Sequence, residues 1–331
     1  MSHPNSLISS DPESKKTSRR TLTTFMSDYG IMVAFIVLCI VLSVVSPYFL
    51  GVSNLLNVLR QVSINGVLAI GMTFVILTRG IDLSVGSMMA FAAIVAASFA
   101  GASADSPLIL PILFGLGAGL ALGCINGVMV ARFAIPPFVM TLGMLSMARG
   151  LTYIYSDGMP ISNLSSSFLW LGQGTVAGIP VPVMLFAAVF ALAWFTLRYT
   201  TFGRYVYAVG GNPAASHLSG INVRRITFSV YAISGILCGL AGLMIAARTS
   251  AALPQAGVAY ELDAIAAVVI GGTSLAGGKG RIVGTLFGVL IIGVINNGLD
   301  LLGVSSFYQQ LVKGAIIVVA VMLDRSRVAN T

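Results

Sequence analysis

Lys279 has the setting most suggestive of chemistry, because it closes a glycine-rich run, GGTSLAGGKGR, over 271–281. Such a lysine is the mark of a phosphate loop, in which backbone amides cradle phosphates and the next side chain offers magnesium a hydroxyl. The spacing fails that chemistry twice. Thr273 takes the first glycine position, and Gly280 stands where the Ser or Thr is needed. Acid–base and metal chemistry find no footing either. The two histidines, His3 and His217, lie far apart, and Cys39, Cys124 and Cys238 sit singly inside apolar runs. No metallopeptidase or nucleophile-elbow motif occurs. The expectation is a chain that is not an enzyme, has no metal site and holds no cofactor itself.

What remains is charge and hydrogen bonding. Asp82, Glu261, Asp263 and Asp300 fall near the ends of apolar runs, and only Arg149 and Lys313 fall within them. Ionisable groups at membrane depth are costly and usually functional, so their scarcity argues against a proton-driven carrier. Asp300 and Lys313 flank the last hairpin and are expected to pair across it. Asn65, Asn126, Thr141, Asn296 and Asn297 supply neutral hydrogen-bonding capacity in or beside the runs. Two readings stand for them: glue between helices, or the lining of a pathway for a polar, uncharged solute.

The elements that position these residues are membrane helices. Hydrophobic residues make up 57% of the chain and charged residues 8%, against roughly 25% charged in a soluble domain. Aliphatic runs with short connections favour helices over a barrel. A core about 30 Å thick needs roughly 20 helical residues, which places spans near 31–50, 62–79, 85–101, 108–131, 134–156, 179–197, 226–247, 262–276, 282–302 and 306–323. The fold class expected is therefore an all-α polytopic membrane protein of about ten transmembrane helices. Residues 1–24 read as a polar cytoplasmic tail, 25–324 as one transmembrane domain and 325–331 as a short cytoplasmic tail.

The net charge of +8 reports topology here, not nucleic-acid binding. With both termini inside, only Arg60, Arg149, Arg248 and Lys313 escape the cytoplasmic side, as the positive-inside rule requires. Two breaks interrupt the pattern, one at Gly80, Asp82 and Gly86, the other at Gly277, Gly278 and Gly280. Each reads as a tight turn or as an interrupted helix buried in protein. The long outer connection 157–178 carries a short interfacial helix near 165–171, with Trp170 at headgroup level.

The longest polar interruption, 198–225, contains its own helix signal. Asn212 suits the N-cap, Pro213 the first helical position and Gly220 a left-handed C-cap. Between them lie Ala214, Ala215, Ser216, His217 and Leu218. A short capped helix in a basic cytoplasmic loop has the form of a docking element.

Three stretches taken together resemble the permease subunit of monosaccharide ABC importers: GIDLSVGS, GGNPAASHLSGINVRR and YELDAIAAVVIGGTSLAGGKGRIVGT. The resemblance covers about residues 30–324, and the C-terminal third, through INNGLDLLGVSSFYQQLVKG, is most similar to the ribose branch. It implies a pair of ten-helix permease copies in the bacterial inner membrane, two ATPase subunits that bind ATP and magnesium, and an extracytoplasmic sugar-binding protein. It also implies that 212–221, with Gly203 and Gly210 upstream, is the coupling helix that meets the ATPase. An ion-coupled secondary carrier for a small polar solute is the alternative class.

Overall fold

The computed structural model describes residues 30–101 and 107–329. The expected polar tail 1–24 lies outside the described residues. In chain order the helices are α1 (Gly30–Val45), α2 (Val52–Leu77), α3 (Val85–Ser98), α4 (Ile109–Ala131), α5 (Pro137–Ser156) and α6 (Ser166–Gln173). A hairpin of β1 (Thr175–Val176) and β2 (Ile179–Pro180) follows, then α7 (Val181–Tyr199), α8 (Thr201–Gly211), α9 (Pro213–Leu218) and α10 (Val223–Thr249). The last three helices are α11 (Tyr260–Ile270), α12 (Ile282–Leu301) and α13 (Ser306–Ala329).

Among the described residues, α2, α4, α7, α10 and α12 are long and apolar enough to cross a membrane. Three expected spans need correction, and the first of them, near 31–50, ends at Val45 ahead of a turn at 47–50. The spans near 85–101 and 262–276 shrink to α3 and α11, of 14 and 11 residues. At 1.5 Å per residue they reach only about 21 and 16 Å, short of a bilayer core of about 30 Å. Helix α3 starts at Val85 as expected but ends early at Ser98, whereas α11 is stopped by the second break at Gly271 and Gly272, the latter at φ +84°. Conversely, α2 begins at Val52 rather than near 62, because Asn54, Asn57 and Arg60 are absorbed into its first turns. Helix α13 runs on to Ala329, so 325–329 of the expected tail is helical.

Helices α2 and α10 form the interior, each buried over most of its length, while α4 and α7 turn one side outward. The glycines of α4 and α10 allow those two helices to touch backbone to backbone. A methyl group on Gly119 would lie 2.7 Å from the Gly239 nitrogen, and one on Gly239 would lie 2.8 Å from the Gly115 carbonyl oxygen. That is small-residue packing of the kind expected between membrane helices. Gly117, on the opposite side of α4, faces open space. Helix α6 matches the short interfacial helix expected near 165–171, with Trp170 half exposed.

Candidate functional site

Helix α9 stands at one end of the bundle, and both of its caps are formed. Asn212 is extended, and its Oδ1 accepts from the Ala215 amide at 3.0 Å. At the other end Gly220 is left-handed at φ +82°. The Ile221 amide donates to the Ser216 carbonyl and the Gly220 amide to the His217 carbonyl, both at 3.0 Å. This pair of bonds is a Schellman closure, which satisfies carbonyls that a helix end leaves free. Within α9 only Ser216 is buried. Ala214, Ala215 and His217 are exposed, and Leu218 is 88% exposed. A hollow of about 730 Å³ runs beside the helix, bordered by Pro213, His217, Ile221, Val223 and Arg224.

Helix α8, which leads into α9, was hidden in the basic loop. Its signal is nonetheless present: Thr200 accepts from the Gly203 amide at 3.1 Å as an N-cap, and buried Val206 and Val209 recur at helical spacing. Gly203 lets the first turn of α8 press against α7, since a methyl group there would lie 2.6 Å from the Leu197 Cα.

The two glycine breaks and α8 meet at this same end. Arg79 is left-handed at φ +66° and directs its guanidinium at the last carbonyls of α8. Its Nε donates to the Gly210 carbonyl at 2.6 Å, and Nη2 donates to the Gly211 carbonyl. A cation at a helix C-terminus satisfies free acceptors and opposes the dipole. The second break closes from the other side. The Gly278 amide donates to the Leu77 carbonyl at 2.9 Å, and the Tyr207 hydroxyl donates to the Gly280 carbonyl at 3.0 Å. Burial pushes the Tyr207 phenol up, against the opposing pull of Arg281.

No side chain fits at the centre of this junction. A methyl group on Gly210 would lie 2.6 Å from the Gly278 nitrogen, and one on Gly278 would lie 2.6 Å from the Gly211 nitrogen. Gly277 and Gly278 also have φ of +79° and +70°. The glycines that imitate a phosphate loop therefore serve a backbone contact with α8.

From Arg79 the first break leads inward through the non-helical residues 80–82. A methyl group on Gly80 would lie 2.6 Å from the Tyr231 hydroxyl, and the Ile81 carbonyl accepts from Thr141 Oγ1 at 3.1 Å. Asp82 is wholly buried. Its Oδ1 accepts from the Ser84 amide at 3.0 Å and from the Ser84 hydroxyl, while Oδ2 accepts from Ser234 Oγ at 3.3 Å. Asn126 completes the cluster by donating Nδ2 to Ser84 Oγ at 3.0 Å. Such local bonds hold a helix start in place. Gly86, in the first turn of α3, abuts the Gly257 carbonyl just ahead of α11.

Four of the candidate pathway residues are taken up in side-chain contacts at different places in the bundle. Thr141 and Asn126 join the first break, as above. Asn297 exchanges two amide hydrogen bonds with Asn54 at 2.8 and 3.0 Å, tying α12 to α2. Asn296 donates to Asp263 Oδ2 at 3.4 Å, and Asn65 is buried in α2. The expected pair between Asp300 and Lys313 does not form. Lys313 instead meets Asp263 Oδ2 at 2.9 Å, and Asp300 accepts from Gln309 Nε2 at 2.7 Å. The reason is reach: α11 is packed against α13 and brings a buried carboxylate to the lysine.

Fold and site together define a polytopic helical permease: a membrane bundle with a capped helix at one end, wired by backbone contacts to two interior breaks. The chain belongs to the family described as the branched-chain amino acid transport system / permease component, whose model matches residues 54–321. It is 49% identical over 313 residues to a ribose import permease protein of Haemophilus influenzae, covering 93% of this chain and 96% of that one. It is 49% identical over 306 residues to a ribose import permease protein of Bacillus subtilis, covering 92% and 94%. A D-allose transport system permease protein of Escherichia coli is 40% identical over 319 residues, covering 96% and 97%. No solved structure gives a significant match.

Proposed function

We propose that this chain is the membrane-spanning subunit of an ATP-driven importer that carries ribose inward across the bacterial cytoplasmic membrane. The observation that carries this reading is identity of 49% over nearly the whole chain to proteins named for ribose import, against 40% to the protein named for D-allose. On the charge pattern, the α9 end of the bundle faces the cytoplasm and both termini lie there. The ten expected crossings then include α3 and α11 as short helices completed by extended or looped chain.

In this reading α9 seats on an ATPase subunit, which binds ATP and magnesium, and Leu218 is its anchor. An extracytoplasmic binding protein delivers the sugar at the opposite end, and a second copy of the chain completes the path. Nucleic acid has no part. The buried amides are chiefly ties between helices, so sugar choice rests largely with the delivering protein.

The test is uptake by proteoliposomes containing the chain, its ATPase and its binding protein, offered labelled ribose against excess unlabelled ribose, allose, galactose or leucine. Competition by ribose well ahead of the other three is expected. Stronger competition by leucine would place the chain with the amino-acid carriers of its family.

A further inference from the structure

A push on α9 has two ways out of the α9 end of the bundle. One is α10, joined to α9 through Asn222. That helix is held along its length by α4, α3 and α2, with backbone-to-backbone contact at Gly235 and Gly239. Packing of this kind transmits rigid-body motion but resists local change. The other is α8, whose last carbonyls are held by the Arg79 guanidinium. Arg79 is followed at once by the non-helical segment 80–82, which runs to Asp82 and the start of α3. Only Gly80 and Ile81 separate Arg79 from Asp82 in the chain, so the guanidinium-bearing residue and the buried Asp82 cluster are joined by a short link. At its inner end that link is pinned by Thr141, Ser234 and Asn126.

We propose that Arg79 is a positioning residue that transmits displacement of α9 to the 80–84 break and thence to α3, so that ATPase docking and sugar passage are coupled through its two-pronged hold on Gly210 and Gly211. The proposal rests on the reading of α9 as the ATPase seat. Geometry selects the arginine. Two carbonyls of successive residues are met by two nitrogens of one planar group, which a lysine ammonium on a flexible stem cannot reproduce. The left-handed backbone at Arg79, rare for a residue with a side chain, is the conformation that aims the group at α8.

The experiment compares wild type with Arg79→Lys and Arg79→Gln in complex with the ATPase and binding protein. It measures co-purified ATPase, ATP hydrolysis and labelled ribose uptake on the same preparation, with thermal unfolding in detergent as a check on folding. Co-purification and hydrolysis within about twofold of wild type, with ribose moved per ATP lowered about tenfold or more in both variants, is the expected result. An unchanged ratio overturns the proposal, and so does loss of the ATPase from the complex, which would make Arg79 a docking residue. If Arg79→Gln does not fold, Arg79→Lys carries the test, since it keeps charge and length. Leu218→Asp distinguishes the two levels of the account. An ATPase that still co-purifies with it sinks the docking reading, whatever Arg79 does.

Discussion

Lys313 and Asp263 show how a single charge is tolerated inside this bundle. Asp263 is almost fully buried, and Lys313 reaches it from α13 at 2.9 Å while Asn296 donates from α12. Removing one partner of a buried pair leaves an uncompensated charge, which costs about 3–5 kcal/mol, whereas replacing both is often close to neutral. Lys313→Met should therefore lower the thermal unfolding midpoint strongly, and the double variant with Asp263→Asn should regain most of the loss. Equal destabilisation by the single and double changes would show that the pair contributes nothing. At the same scale, Asn212→Ala should weaken α9 by about 1 kcal/mol through loss of its N-cap, while Asn212→Ser should retain most of it. ATPase recovered on co-purification would report the difference. The sequence predicted the Asn212 cap correctly because capping is decided within four residues. It misplaced the partner of Lys313 because that choice depends on how α11 packs, which no local pattern encodes.

At the scale of elements, the glycine junction between α8, the end of α2 and the second break makes the sharper claim. Gly210→Ala would press a methyl group onto the Leu77 carbonyl and the Gly278 amide, both backbone. Those atoms cannot rotate away, so α8 must lift off and the Arg79 contacts must lengthen. A lower yield of ribose moved per ATP, as for the Arg79 variants, is the expected outcome in the reconstituted complex. Gly211→Ala, where a methyl group meets nothing within 4 Å, should match wild type. Gly220→Val should strain the left-handed cap and depress ribose uptake more than membrane insertion; unaltered uptake would count against a role for the cap in coupling. Helix α9 was legible from the residues alone, whereas the pairing of α4 with α10 through their glycines was not. Helix α8 was not, since its apolar repeat is short and interleaved with Arg204 and three tyrosine or glycine positions. The true lengths of α3 and α11 were also hidden, because an apolar run reads the same whether it is helical throughout or turns away at one end. Asp82 and Gly278 were singled out for their types, yet only their neighbours across the chain explain them.

At the scale of the molecule, the chain is a passive membrane body that receives its energy from outside. The failed phosphate-loop spacing at Thr273 and Gly280, the capped and exposed α9, and the backbone wiring from α8 to the interior all point the same way. A chain built for ion coupling would be expected to hold its charged groups along a route, whereas here Asp82 and Asp263 are enclosed by local partners. The most direct measurement is ribose uptake into proteoliposomes containing the chain, its ATPase and its binding protein, with ATP supplied or withheld on the ATPase side and with ion gradients present or collapsed. Uptake that requires ATP and the ATPase, and is indifferent to collapse of the gradients, is the predicted result. Uptake that persists without ATP and disappears with the gradients would contradict the account.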